Sequence, residues 1–215
     1  MRIPFLALRI MVFLLCLAPC AWLFWETFQN TLGTDPVQQI THRTGDWALR
    51  FLLITLAITP LRRLTGWNPI IKLRRMLGLY AFFYASLHLT TYVVLDLGGF
   101  WSQIFTDIAK RPFITVGFLA WLLMLPLAIT STKSIMRWMG RRWQQLHRLV
   151  YVCAVLGVLH FVWLVKSDLT EPLIYAGILV LLLGMRVYWR FRKMPAMTAT
   201  SNSHDSMQVR LLRPA

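Results

Sequence analysis

Six apolar stretches, set apart by short polar or basic segments, leave this chain very few architectures. They fall at about 8–28, 46–61, 77–95, 112–130, 148–165 and 172–190. A run of ~20 apolar residues is long enough to cross the hydrocarbon of a bilayer as a helix, which satisfies its own backbone groups. The second stretch is the weakest, with Asp46 and Arg50 near one end and Pro60 closing the other. It is read as a span because a basic loop follows it. Composition agrees: 57% of the 215 residues are hydrophobic, too many for an ordinary soluble domain. "GTDP", "GWNP", "LGGF" and "LTEP" punctuate the runs as turns. No internal repeat is evident. The expected fold is an all-α, six-transmembrane-helix bundle over residues 1–193, with a short, polar, disordered tail at 194–215.

The opening "MRIPFLALRIMVFLLCLAPCAWLFW" has the basic start and apolar run of a secretory signal. The run continues through Trp25, however, so the segment is expected to stay as the first helix. Cys16 and Cys20 are four residues apart and share a face. They read as small packing groups in preference to a redox pair. The three cysteines have neither zinc-like nor disulfide-framework spacing.

Charge orients the bundle. The net charge is +15, from 23 Lys and Arg against 8 Asp and Glu. In a soluble protein that excess would point to nucleic acid; between apolar runs it points to a basic cytoplasmic side. Eighteen of the 23 basic residues lie in four segments: the N-terminus, 60–75, 131–148 and the chain from 186 onward. The opposite side holds Arg43, Arg50, Lys110, Arg111 and Lys166, with all the acids except Asp205. Both termini are therefore expected in the cytoplasm, as an even number of spans requires.

Of five histidines, His204 in the tail and His42 in the first external loop read as solvated. His88 and His160 do not. His88 lies 13 residues beyond Arg75, and His160 lies 13 beyond His147, itself near the cytoplasmic edge. At 1.5 Å per residue both reach a depth of about 20 Å, in the outer half of the bilayer, where a polar group without a partner is costly. Two imidazoles at one depth on two helices suit the axial positions of a b-type haem. Zinc fits less well, because no Cys, Asp or Glu lies at that depth to complete a tetrahedron. Ala81, Ala85, Ser86, Cys153, Ala154 and Gly157 leave room for a macrocycle, or for close helix packing. His147 faces about 140° away from His160 on an ideal helix. The residue 14 before His88 is Arg74, a poor iron ligand but a suitable partner for a haem propionate or a flavin phosphate.

These segments, "RRMLGLYAFFYASLH", "AITS" and "GRRWQQLHRLVYVCAVLGVLHFVW", resemble the ferric-reductase-like transmembrane domain, most closely the haem-binding membrane subunits of bacterial methionine-sulfoxide repair systems. The resemblance implies a multi-pass protein of the bacterial inner membrane carrying haem b, with FMN associated. It implies electrons taken from the quinone pool or a cytosolic flavin reductase. They pass to a periplasmic molybdopterin reductase subunit that repairs oxidised envelope proteins. His88 and His160 match the family's haem ligands and His147 matches its third histidine. Arg74 departs from relatives that carry two stacked haems. No nicotinamide-binding module is evident, in keeping with an external donor, and reductase catalysis is expected in the partner.

Two other readings compete. A metal or proton transporter would use the three histidines as a relay and needs carboxylates in mid-span, yet Glu26, Asp46 and Asp96 all read as edge residues. A cofactor-free assembly subunit leaves the deep histidines unexplained.

Overall fold

The computed structural model describes residues 5–165 and 168–192. They form α1 (Phe5–Phe28), α2 (Pro36–Thr65), α3 (Arg74–Thr91), α4 (Trp101–Lys110), α5 (Pro112–Ile129), α6 (Lys133–Met139), α7 (Arg141–Leu146), α8 (Leu149–Leu164) and α9 (Thr170–Arg192). A 3-10 turn, Asn68–Leu73, leads into α3 and a π turn, Tyr92–Asp96, leads out of it. The described chain contains no strand. The tail expected to be disordered, with His204, lies outside the described residues.

Five helical segments are long and apolar enough to cross a membrane: Phe5–Phe28, Asn68–Asp96, Pro112–Ile129, Arg141–Leu164 and Thr170–Arg192. The weak stretch at 46–61 is not among them, although it belongs to the longest helix among the described residues, the 30-residue α2. Its location explains the discrepancy. α2 packs along α3 and also touches α1, α8 and α9. It buries Leu49, Phe51, Leu52, Leu53, Leu56 and Ile58. A helix walled by other helices has little lipid to face, so polar residues persist in it. The peripheral helices are different: Phe24 on α1 is 68% exposed and Val180 on α9 is 71% exposed, as lipid-facing side chains are.

The ends of α2 follow from its sequence. The Asp35 carboxylate accepts the Gln38 N–H at 3.0 Å, and Pro36 opens the first turn, where no N–H is needed. Gly66 closes the helix at φ +68°, its N–H reaching the Arg62 carbonyl at 3.0 Å. At the start of α9, hydrogen bonds from the Thr170 side chain and N–H hold the exposed Asp168 carboxyl below the usual carboxylate range.

Two helices are loosened by proline or by insertion, and a side chain from another helix repairs each. Pro60 has no N–H, so the Leu56 carbonyl loses its helical donor. Arg186 of α9 supplies one: one Nη donates to that carbonyl at 2.6 Å and the other to the Tyr151 hydroxyl at 2.8 Å. In α1, next to Pro19, the Tyr84 hydroxyl sits within a turn, donating to the Cys16 carbonyl at 2.9 Å and accepting from the Cys20 N–H at 3.0 Å. Tyr84 is almost fully buried, and Cys16 and Cys20 are buried free thiols around it, which gives the cysteine pair its packing role.

The described basic residues of 60–75, 131–148 and α9 gather at one end. Arg63 lies over the Trp189 ring, Arg75 donates to the Ser131 carbonyl, and the Trp143 indole N–H donates to the Thr130 carbonyl. At the other end α4 is tied to the π turn that follows α3 by the Tyr92 hydroxyl, which donates to Asp107 at 2.8 Å.

Candidate functional site

His88 lies in the last turn of α3, and His160 lies four residues before the end of α8. Both are thus carried to the end of the bundle remote from the basic clusters. Their ring centroids are 6.1 Å apart and the ring planes cross at 73°.

Each ring is fixed from behind by a helix other than its own. The Nδ1–H of His88 donates to the Thr41 carbonyl of α2 at 2.8 Å. The Nδ1–H of His160 donates to the Phe113 carbonyl of α5 at 2.7 Å. A carbonyl only accepts, so Nδ1 carries the proton in both rings, and Nε2 keeps its lone pair. This is the tautomer that metal-binding imidazoles adopt when a backbone carbonyl orients them.

The residues therefore fit an axially ligated iron. Two metal–imidazole bonds of about 2 Å each, plus the two ring radii, sum to roughly 6 Å, the separation found. Among the described residues no group of three or more His, Cys, Asp or Glu could hold a metal ion. Two imidazoles alone do not complete a zinc tetrahedron. A macrocycle supplies its own four nitrogens and needs only the two axial ones.

The other sequence candidates lie elsewhere. His147 sits between α7 and α8, its ring stacked on Trp143 at 3.9 Å and its Nδ1–H donating to the Trp143 carbonyl at 3.1 Å. A turn at His147 and Arg148 interrupts the helix, so ideal helical geometry does not relate it to His160. Arg74 is the first residue of α3, at the basic end and half-buried. His42 is exposed, but on α2 and not in a loop. Asp46, read as an edge residue, lies five positions inward of Thr41 and so at the depth of the imidazoles; it is half-buried near Arg50, which donates to the Tyr175 hydroxyl at 2.7 Å.

The small residues divide by role. Ala81, Cys153 and Ala154 are fully buried helix contacts. Ser86 accepts the Trp121 indole N–H at 3.0 Å, joining α3 to α5. The acceptors that orient the rings were invisible to motif reasoning, because they are backbone atoms of Thr41 and Phe113.

The ends also differ in charge. The ion pairs among the described residues, Glu26–Arg43 and Asp107–Arg111, both involve the poorly basic end. The basic end has none among those residues, and its cations remain open to anions.

Comparison with known proteins places this geometry in context. Residues 44–158 match the family described as "Ferric reductase like transmembrane component", a range holding His88 and His147 and stopping just short of His160. A protein of Xanthomonas euvesicatoria pv. vesicatoria named "Protein-methionine-sulfoxide reductase heme-binding subunit MsrQ" is 61% identical over 189 residues, covering 85% of this chain and 87% of the relative. A protein of the same name from Xanthomonas campestris pv. campestris is 64% identical over 180 residues, 81% of this chain and 83% of its own. One from Herminiimonas arsenicoxydans is 48% identical over 201 residues, 92% of each. No solved structure matches the chain.

Proposed function

The chain belongs to the MsrQ branch of the ferric-reductase-like transmembrane proteins, and from that premise we propose that it is a haem b-binding electron-transfer subunit serving a methionine-sulfoxide reductase. The observation that carries this reading is the imidazole pair: two rings 6.1 Å apart, each with Nδ1 held by a carbonyl of a neighbouring helix.

In this proposal His88 and His160 would hold the haem iron. A haem held there would supply one-electron redox chemistry. The protein's own part is to present two neutral Nε2 lone pairs and to hold the rings against rotation through Nδ1. His147 and Arg74 are assigned to the opposite end, with Arg74 as a cation for a flavin phosphate or a propionate.

The same reading places the protein in the bacterial inner membrane with six spans and both termini in the cytoplasm. α2 serves as the sixth span, since 30 residues make a helix of about 45 Å. The asymmetry of basic residues supports this orientation. The imidazoles then lie toward the periplasm, where a molybdopterin reductase of the MsrP type would collect electrons. The basic end faces the cytosol and the inner leaflet, where anionic FMN binds and where quinol or a cytosolic flavin reductase donates.

The test is optical. Protein purified from cells supplied with haem is expected to give a Soret band and a sharp reduced α-band, and His88→Ala or His160→Ala is expected to remove most of both. A colourless wild-type protein would end the proposal.

A further inference from the structure

The two imidazole anchors are copies of one local device. In both, the histidine reaches a carbonyl 47 residues earlier in the chain. In both, a glycine stands one helical turn beyond that carbonyl: Gly45 after Thr41 on α2, and Gly117 after Phe113 on α5. Position 113 follows 41 by the same interval as 117 follows 45 and 160 follows 88. The α2–α3 and α5–α8 pairs thus repeat an arrangement that the side chains do not advertise.

The glycines meet the rings directly. A Cβ at Gly45 would lie 3.1 Å from both Nδ1 and Cε1 of His88. A Cβ at Gly117 would lie 2.7 Å from Nδ1 and 2.9 Å from Cε1 of His160. Helix geometry explains why. The N–H that closes the turn onto a carbonyl belongs to the residue four places on, and the Cα–Cβ bond of that residue tilts back toward the helix N-terminus. Its side chain leans over the route by which an outside donor must approach. Neither glycine has positive φ among the described residues, so neither is there for backbone freedom. A glycine inside a helix costs about 0.5–1 kcal/mol relative to alanine, and here that cost goes with an open path for an imidazole.

We infer that Gly45 and Gly117 are positioning residues that seat His88 and His160 on their carbonyls and so set where each Nε2 lone pair points, with Gly117 the stricter of the two. The inference rests on the proposed haem reading for its functional meaning, and on the hydrogen bonds alone for its geometry. An alanine at 117 forces the His160 ring off the Phe113 carbonyl. An alanine at 45 is tighter than ordinary contact and moves His88 less.

The test compares Gly117→Ala and Gly45→Ala with Gly177→Ala on α9, where an added Cβ meets nothing within 4 Å. In haem-loaded protein the readouts are the ferric electron paramagnetic resonance spectrum and the rate of haem transfer to apomyoglobin. Gly117→Ala is expected to change the low-spin signal and to speed transfer by about 10- to 100-fold, the usual effect of removing an outer-shell partner. Gly45→Ala changes both in the same direction by less, and Gly177→Ala matches wild type. A wild-type spectrum and transfer rate in both Gly117→Ala and Gly45→Ala overturn the inference. If Gly117→Ala does not fold, Gly45→Ala carries the test. In haem-free protein labelled with 15N-histidine, magnetic resonance reads the Nδ1–H groups directly. An unmoved His160 signal in folded Gly117→Ala, or an unmoved His88 signal in Gly45→Ala, overturns the inference even if wild type proves colourless, an outcome that would sink only the haem reading.

Discussion

His160 and His147 belong to one stretch of chain, 13 residues apart, and are anchored in opposite ways. His160 donates to a carbonyl of α5, a different helix. His147 donates to the carbonyl of Trp143, four residues back, and stacks on that residue's ring. An anchor on another helix fixes a ring relative to the bundle, whereas an anchor on the local turn fixes it only relative to its own segment. His88 follows the first pattern through Thr41. The cross-helix pair converges and the locally anchored ring stands apart. Convergence in this bundle therefore comes from bonds between helices and not from histidine spacing along one of them.

The sharpest way to break that contrast is to remove a converging ring. His88→Ala and His160→Ala are each expected to abolish most of the haem absorbance, read as the haem-to-protein ratio of purified protein. If the two rings share one haem, either substitution would leave a single imidazole to hold it, facing a cavity where the other ring stood. A variant that kept a full complement of low-spin haem would show that the pair does not share one iron.

The sequence made the rings legible and concealed what holds them. Depth counting from Arg75 and His147 put His88 and His160 at one level, because α3 runs unbroken from Arg75 to His88 and α8 from Leu149 to His160, with only a short turn at 147–148 before it. Neither Thr41 nor Phe113 carries a side-chain signal, since each contributes a carbonyl. Gly45 sat just before the weakest stretch and Gly117 within an ordinary one, and a lone glycine has too many causes to single out. The span count was hard for a related reason. Hydropathy measures a helix against lipid, and α2 is surrounded by protein. Asp46 and Arg50 marked it as a poor membrane segment, and it is a helix packed against α1, α3, α8 and α9. The cysteines were clearer: four-residue spacing placed Cys16 and Cys20 on one face, and small, buried packing groups are what they are.

Smaller effects attend the cross-helix bonds that repair helices. Arg186→Met is expected to lower unfolding free energy in detergent by about 1–3 kcal/mol, because the Leu56 carbonyl is left without a donor. The loss should shrink by about 1 kcal/mol in a Pro60→Ala background, where residue 60 regains the N–H that closes that turn. The Tyr151 bond is present in both backgrounds and cancels from the cycle. Additive losses would detach Arg186 from the proline. Tyr84→Phe is expected to cost less, about 1 kcal/mol or below. There the helix can reclaim its bond, since Cys20 has an N–H and Cys16 the matching carbonyl once the hydroxyl is gone. Hydrogen exchange at the Cys20 amide checks this: protection is retained if the turn closes and lost if it does not.

His147→Ala should do least to the haem, and for that reason it bears hardest on the contrast. The Nε2 of His147 is buried and makes no full hydrogen bond among the described residues, although the Leu127 backbone of α5 lies close to the ring; stacking on Trp143 and one local bond hold it in place. Alanine removes the stacking on Trp143 and the approach to Leu127 of α5, but it leaves the Thr41 and Phe113 anchors intact. The converging rings are anchored to α2 and α5, and neither anchor involves residue 147. The expected outcome is an unchanged haem-to-protein ratio and an unchanged low-spin spectrum, measured beside His160→Ala under one preparation. A halved ratio would mean that the basic end holds iron as well. A locally anchored ring would then suffice for ligation, and cross-helix anchoring would no longer separate the two histidines of this segment.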